Sequence, residues 1–233
     1  HAVSLAAPLD NPMWAALTGR QRDLALGEGG VRRYPREIAP FVAVEGAGVE
    51  VARELDAFVD PGESVYVVAV APAWPPGWQV IGTGSVLQMT CARLPPADDA
   101  PAAGCEALGS EDLPDMLALT ALVYPEFFRE RTRELGRYLG IRRGGVLAAM
   151  AGERLAIDDY AEISAVCTHP DHSGRGYAAR LMAALAHGIA ARGATPFLHV
   201  SDYNRRAIDL YARLGFIERA RLPLWKLRRL PRG

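Results

Sequence analysis

What this sequence lacks narrows it before any motif is considered. Its 233 residues hold no apolar run approaching the roughly 18 that a membrane-spanning helix requires, so no span is predicted. Cysteine is scarce. Cys91, Cys105 and Cys167 are odd in number and far apart, which speaks against a disulfide framework and against a zinc site. Charge of one sign is not in excess either. The 26 basic and 27 acidic residues leave a formal net charge of −1, which calls for neither nucleic acid nor an anionic membrane as partner. No pair of histidines has metal-ligand spacing on one helix face, so no metal is predicted. Residues 1–12 show no basic n-region and no clear signal-peptide core. A reducing cytoplasm is the expected setting, and His1 in first place suggests a processed or engineered end.

What is present is an ordinary globular balance, 50% hydrophobic and 23% charged, in a length that suits one large domain or two small ones. The clearest break is residues 94–104, where Pro, Ala and Asp read as a semi-rigid linker. The expected organisation is a domain over 1–94, a linker over 95–104 and a second domain over 105–233. The first part offers helices near 12–26 and 49–58, and a valine-rich strand over 64–71. A strand over 78–89 reads as its hairpin partner, across the turn at 72–77. No motif in this part carries chemistry. At the other end, the basic residues 226–232 read as a solvated tail.

The second part has stronger punctuation. Ser110 is placed to cap a helix over 111–123 with acidic residues in its first turn. A second helix is expected over 127–138, followed by Gly140. Strands over 141–143 and 146–154 flank Gly144-Gly145, a hairpin turn signal. Then come a strand over 160–168 and a helix over 177–191 with Leu181, Met182, Leu185 and Ile189 on one stripe. A short buried strand over 197–200, a helix over 207–214 stopped by Gly215, and a last strand over 216–227 complete the order. The fold class is α/β, with a mixed sheet.

The most informative run is Val166-Cys167-Thr168-His169-Pro170-Asp171-His172-Ser173-Gly174-Arg175-Gly176-Tyr177-Ala178. A β-branched strand ends at a Pro turn, and a Gly-rich loop opens a long helix. The first N–H groups of a helix have no internal partner and sit at the positive end of its dipole. Glycines let a ligand approach that backbone closely, which suits a pyrophosphate, and Arg175 adds a charge-assisted contact. Two glycines alone would equally serve a plain strand-to-helix turn. A dinucleotide fold is the main rival, since Gly174-x-Gly176-x-x-Ala179 meets a loose fingerprint and Asp202 follows the next strand. The glycines come late in the chain, however, and too little follows Asp202 to finish a doubly wound sheet. Cys167 beside the loop reads either as a reactive thiol or as a small buried residue.

These residues resemble the GNAT superfamily of N-acetyltransferases, whose cofactor loop reads Gln/Arg-x-x-Gly-x-Gly/Ala. Ser173-Gly174-Arg175-Gly176-Tyr177-Ala178 fits at every defined place but the first, where Ser173 stands for Gln or Arg. A second signature follows in order: Asn204, Ala207, Tyr211 and Leu214-Gly215-Phe216 are similar to the family's Asn…Ala…Tyr…Gly-Phe stretch. The resemblance covers residues 105–227 and is nearest the branch that includes glycine N-acyltransferase, whose N-terminal half is degenerate. It implies a GNAT-type fold, acetyl-CoA as co-substrate, and transfer of an acetyl group to a primary amine of a small molecule, amino acid or peptide. The alternative is a non-catalytic member that binds acyl-CoA or serves as a structural partner.

The resemblance also implies roles. Tyr211 would protonate the departing thiolate, although a core tyrosine is the plainer reading of its helix position. Asn204 would meet the pantetheine arm, or cap the helix through the Ala207 N–H. Val166, Cys167 and Thr168 would offer backbone groups to that arm, and the loop from Ser173 to Ala178 would hold the pyrophosphate. Glu162 is the candidate general base, because a glutamate stands at this distance before Arg-Gly-Tyr in histone-modifying members; a salt-bridged or surface glutamate at the strand start is the alternative reading. Alternation places Glu162, Ser164, Val166 and Thr168 on one face, and burial is expected to raise the carboxyl pKa towards neutrality. Phe127, Phe128 and Arg131 are candidate acceptor contacts, with core packing as the competing use of the aromatics. A monomer or homodimer is expected.

Overall fold

The computed structural model describes residues 7–96 and 104–231. In chain order the elements are α1 (Pro12–Thr18), β1 (Val31–Arg33), β2 (Val42–Val44), α2 (Val49–Leu55), β3 (Ser64–Val68) and β4 (Trp78–Cys91). There follow β5 (Glu106–Ala107), α3 (Leu113–Val123), β6 (Tyr138–Arg143), β7 (Val146–Ile157), β8 (Tyr160–Thr168), α4 (Tyr177–Ala191), β9 (Thr195–Ser201), α5 (Arg205–Arg213) and β10 (Phe216–Arg229). The fold is mixed α/β, as the sequence suggested. Eight strands form one sheet in the order β3-β10-β4-β9-β8-β7-β6-β5, and β1 and β2 form a separate pair.

The chain groups into two units. One takes residues up to Arg36, then Pro40–Val86, and the chain from Arg221 onward; the other takes Glu37–Ala39 and Leu87–Ala220. Residues 97–103 of the expected linker lie outside the described residues.

In the first unit, β3 pairs antiparallel with β10, setting Val65 opposite Leu227. Valines of β1, β2 and β3 pack with Leu55, Trp78 and Leu227 in its core. The expected β3–β4 hairpin is therefore a correction: β10 lies between the two strands. Ala69 takes a φ of 71°, and three prolines without N–H donors follow before β4. That connection is long enough to step across one strand, about 10 Å, where a tight turn would not be. The solvated-tail reading is corrected too. Lys226 and Arg228 face Tyr66 and Ser64 in the β10–β3 ladder, and the buried Arg229 guanidinium donates to the Asp56 and Val59 carbonyls.

In the second unit, helices cover both faces of the sheet. Alternation along β7 shows the division: Ala149 and Ala151 pack in the α4 cluster, Met150 in the α3 cluster. The α4 stripe Leu181, Met182, Leu185 and Ile189 is fully buried. Burying each such side chain contributes about 1.5–3 kcal/mol. The hairpin turn holds as expected, with Gly144 and Gly145 at φ 56° and 81°. Two local expectations change. Ser110 does not cap α3: residues Ser110–Asp112 form a 3-10 turn closed by Asp112 accepting from the Gly109 N–H, and α3 starts at Leu113 without a side-chain cap. The expected helix over 127–138 is a loop with a short 3-10 turn at Thr132–Leu135. Glu126 at φ 80° breaks the helical path, and Thr132 Oγ1 accepts from the Arg129 N–H and donates to the Ile38 carbonyl.

Gly215 tests how closely β10 is joined to its surroundings. Its φ is 95°, and a Cβ there would come within 1.9 Å of the Arg93 carbonyl oxygen. Gly215→Ala is expected to lose about 2 kcal/mol or more in urea denaturation. Gly84→Ala, where a Cβ meets nothing within 4 Å, should stay within about 0.5 kcal/mol of the parent. Equal losses would contradict the packing described.

Candidate active site

The site begins where two strands part. β8 and β9 run parallel and pair at Tyr160↔Thr195, Ala161↔Pro196 and Glu162↔Phe197, yet β8 continues to Thr168 and β9 to Ser201. Over that same stretch β8 carries a bulge. Gly152 faces Ser164 and Met150 faces Cys167, so β8 takes three residue steps where β7 takes two. Ala165 absorbs the extra residue at φ 52°, a left-handed setting that costs a non-glycine residue about 1 kcal/mol or more. The bulge reverses the alternation. Val166 packs against the α4 cluster with Ala161 and Ile163, whereas Ala165 and Cys167 turn to the α3 cluster. The expectation that Glu162 and Val166 share a face is thereby corrected.

A cleft of about 400 Å³ opens beside this strand end. Val166 and Thr168 line it from β8, the loop Ser173 to Gly176 and the first turn of α4 line it from one side, and α5 lines the other. Gly174 and Gly176 have φ of 76° and 73°, and a Cβ on either would meet nothing within 4 Å. These glycines thus serve chain conformation and an open approach rather than packing. Gly176 caps α4 without any side-chain hydrogen bond, so the amides of Tyr177, Ala178 and Ala179 begin the helix without internal acceptors. Arg143 hydrogen-bonds the Tyr177 hydroxyl at 2.9 Å and lies over its ring, which pins the start of the helix.

The lining is cationic. Arg175, Arg206 and Arg213 line the cleft with three guanidinium groups, His172 lies among them, and no aspartate or glutamate lines it among the described residues. Asn204 Oδ1 accepts from the Ala207 N–H at 3.2 Å, so it caps α5, and the same side chain lines the cleft. Tyr211 also lines it, 9% exposed, with burial pushing its hydroxyl pKa up to about 12. Arg206, Leu210 and Arg213 were not singled out from the sequence. Their i, i+4, i+7 spacing on α5, beside Ala207 and Tyr211, was the available signal.

Other expected residues lie elsewhere. Cys167 packs in the α3 cluster, and burial raises its thiol to about 12, so it is a core residue and not a reactive thiolate. Glu162 is fully buried and away from the cleft lining. Arg154 grips it with two hydrogen bonds of 2.8 and 2.7 Å, and His199 Nδ1 meets it at 2.7 Å. Burial alone would raise its pKa, but Arg154 and His199 outweigh it and hold the carboxyl at about 2. The expected rise towards neutrality is corrected. Phe128 packs edge-on against Tyr138, Phe127 against Tyr124, and Arg131 is forked onto Glu134.

Comparison with known proteins gives this geometry a family. The family described as FR47-like protein matches residues 138–225, which run from β6 into β10. No curated protein matches the chain. A solved structure of an acetyltransferase from the GNAT family of Novosphingobium aromaticivorans DSM 12444 is 37% identical, with a TM-score of 0.88, over 97% of this chain and 100% of that one. A GCN5-related N-acetyltransferase from Kribbella flavida shares the fold at 21% identity and a TM-score of 0.60, over 100% of this chain and 98% of that one. A GCN5-related N-acetyltransferase-like protein from Streptococcus suis 89/1591 does so at 14% identity and 0.61, over 97% and 95%. GNAT acetyltransferases use acetyl-CoA as co-substrate. With the first of these likenesses running almost end to end, this chain belongs to the GNAT family of acetyltransferases.

Proposed function

We propose that the chain transfers an acetyl group from acetyl-CoA to a primary amine of a small molecule, amino acid or peptide by direct attack. The cleft carries this reading: unpartnered helix amides and three arginines, with no carboxylate among the described lining residues, suit a polyanionic ligand. The amides at Gly174 and from Gly176 to Ala178 hold the pyrophosphate, with Ser173 giving less reach than the family's Gln or Arg. The Asn204 amide nitrogen is left for the pantetheine arm once Oδ1 caps α5. The backbone of Val166, Cys167 and Thr168, beyond the last β8–β9 pair, offers further groups to that arm. Bound acetyl-CoA supplies an activated thioester.

Tyr211 holds the proton that the departing sulfur needs. A hydroxyl raised to about 12 stays protonated through the working range and is ready to donate. Glu162 is not kept as the base, since its carboxylate is committed to Arg154 and His199. The amine reaches the site neutral, or loses its proton to water. This lack of a carboxylate base also favours a second reading, a non-catalytic member that binds acyl-CoA. Tyr124, which lies near Tyr211, and Phe127 mark the acceptor side, with Phe128 against Tyr138 and Arg131 at the surface. We place the chain in the branch that includes glycine N-acyltransferase, with residues 1–94 as its degenerate half, acting in the cytoplasm as a monomer or homodimer.

Two measurements test these roles. Gly176→Asp is expected to weaken acetyl-CoA binding far more than Arg175→Ala in a calorimetric titration. The first puts a side chain and a negative charge at the helix start; the second removes one cation. Equal effects would remove the loop amides from the site. Tyr211→Phe should lower kcat by about a hundredfold or more while leaving acetyl-CoA affinity nearly unchanged, as loss of a general acid does. The sign of its shift adds a pH signature. A phenol raised above its ordinary 10 keeps the donating form as pH rises, so parent turnover should hold through pH 10. Turnover of Tyr211→Phe within about twofold of the parent would exclude the acid role and favour the non-catalytic reading.

A further inference from the structure

Five polar side chains lie in one row across five neighbouring strands. Arg219 stands on β10, Gln88 on β4, His199 on β9, Glu162 on β8 and Arg154 on β7, and the sheet order is β10-β4-β9-β8-β7. Each meets the next. Arg219 donates to Gln88 Oε1 at 2.7 Å, Gln88 Nε2 meets His199 Nε2 at 3.1 Å, His199 Nδ1 meets Glu162 Oε1 at 2.7 Å, and Arg154 forks onto Glu162. Gln88 and Glu162 are fully buried.

The chemistry of the two ends fixes the direction of every bond between. A guanidinium only donates, so the Gln88 atom facing Arg219 is its oxygen and the one facing His199 is its NH2. His199 Nε2 must then accept, which puts the ring hydrogen on Nδ1. That hydrogen points at a carboxylate, which only accepts when ionised. With both ends taken together, the row has one arrangement and no donor facing a donor.

Its position matters as much as its order. Glu162 is the last β8 residue paired with β9, and His199 lies two residues beyond Phe197, where the strands have begun to part. The Glu162–His199 bond thus crosses the split at its origin. Glu162 is tied back to β7 and His199 to β4 and β10, so neither strand moves there alone.

We propose that this belt positions the split between β8 and β9, with Arg219 and Gln88 holding His199 in its Nδ1–H form so that His199 and Arg154 clamp Glu162 across it. The inference rests on the reading that the split receives the acyl-thioester arm. All five are positioning residues, acting through backbone they hold in place, in a setting where shifts well under 1 Å matter.

The test uses the full chain, 3′,5′-ADP as a probe of the loop alone, and acetyl-CoA as a probe of loop and split together. Gln88→Leu and His199→Phe cut the belt at different links, and His199→Asn keeps a donor for Glu162. Titrations run well below each variant's melting midpoint. Gln88→Leu and His199→Phe are expected to weaken acetyl-CoA binding about tenfold, the worth of one buried charge-assisted hydrogen bond. Binding of 3′,5′-ADP should not change, and His199→Asn should recover part of the loss. Unchanged acetyl-CoA affinity in both cut variants would overturn the proposal, as would an equal loss for 3′,5′-ADP. If the parent binds neither probe, the acyl-CoA reading fails and the ring spectrum decides the belt. In ¹⁵N spectra of the labelled parent, His199 should carry its hydrogen on Nδ1 and a bare Nε2. A hydrogen on Nε2 would overturn the belt whatever binds.

Discussion

Two parallel strands that part leave backbone N–H and C=O groups without ladder partners, and such groups are costly to bury unless something else meets them. In this chain β8 and β9 stop pairing at Glu162 and Phe197, and both strands run on. The bulge at Ala165 belongs to the same event. By adding one residue to β8 it turns Val166 and Thr168 to the cleft and sends Ala165 and Cys167 into the α3 cluster. The glycine loop, the start of α4 and the inward face of α5 are arranged around that opening. Had the two strands stayed paired to their ends, the glycine loop and the start of α4 would have no slot leading away from them.

The electrostatics set two buried acid–base groups apart. Glu162, at about 2, is an anion whose partners are built into the sheet. Tyr211, at about 12, is a neutral donor on the cleft wall. Both are buried, and burial alone pushes both pKa values up. The difference is that Glu162 has a guanidinium and an imidazole hydrogen-bonded to it, which outweigh desolvation, while at Tyr211 burial and the nearby Tyr124 act in the same upward direction. A sequence shows both residues; it does not show which has the cation.

That contrast explains what was legible. The boundaries of β8 and α4 follow from β-branched content and a clean apolar stripe, so the loop between them was placed residue by residue. Asn204 as a helix cap and the Gly144-Gly145 turn rest on local chemistry and were legible for the same reason. The larger failures depend chiefly on distant partners. Period-2 alternation through 162–168 cannot reveal a bulge that one partner strand imposes. Residues 127–138 have helical composition, but Glu126 breaks the path and Thr132 ties the loop to Ile38. The β3–β4 hairpin looked sound until β10, far along the chain, proved to be the closer partner. Arg154 and His199, which decide the charge of Glu162, lie 8 and 37 residues from it.

The central claim is that the cleft at the start of α4 takes acetyl-CoA, and a ligand-dependent melting titration tests it most directly. A ligand that binds only the native state stabilises it by about 2.7 kcal/mol at a hundred times its Kd, which raises Tm by several degrees in a chain of this size. Acetyl-CoA is expected to give that rise in proportion to the logarithm of its concentration, and NAD to give none. A rise with NAD and none with acetyl-CoA would contradict the account.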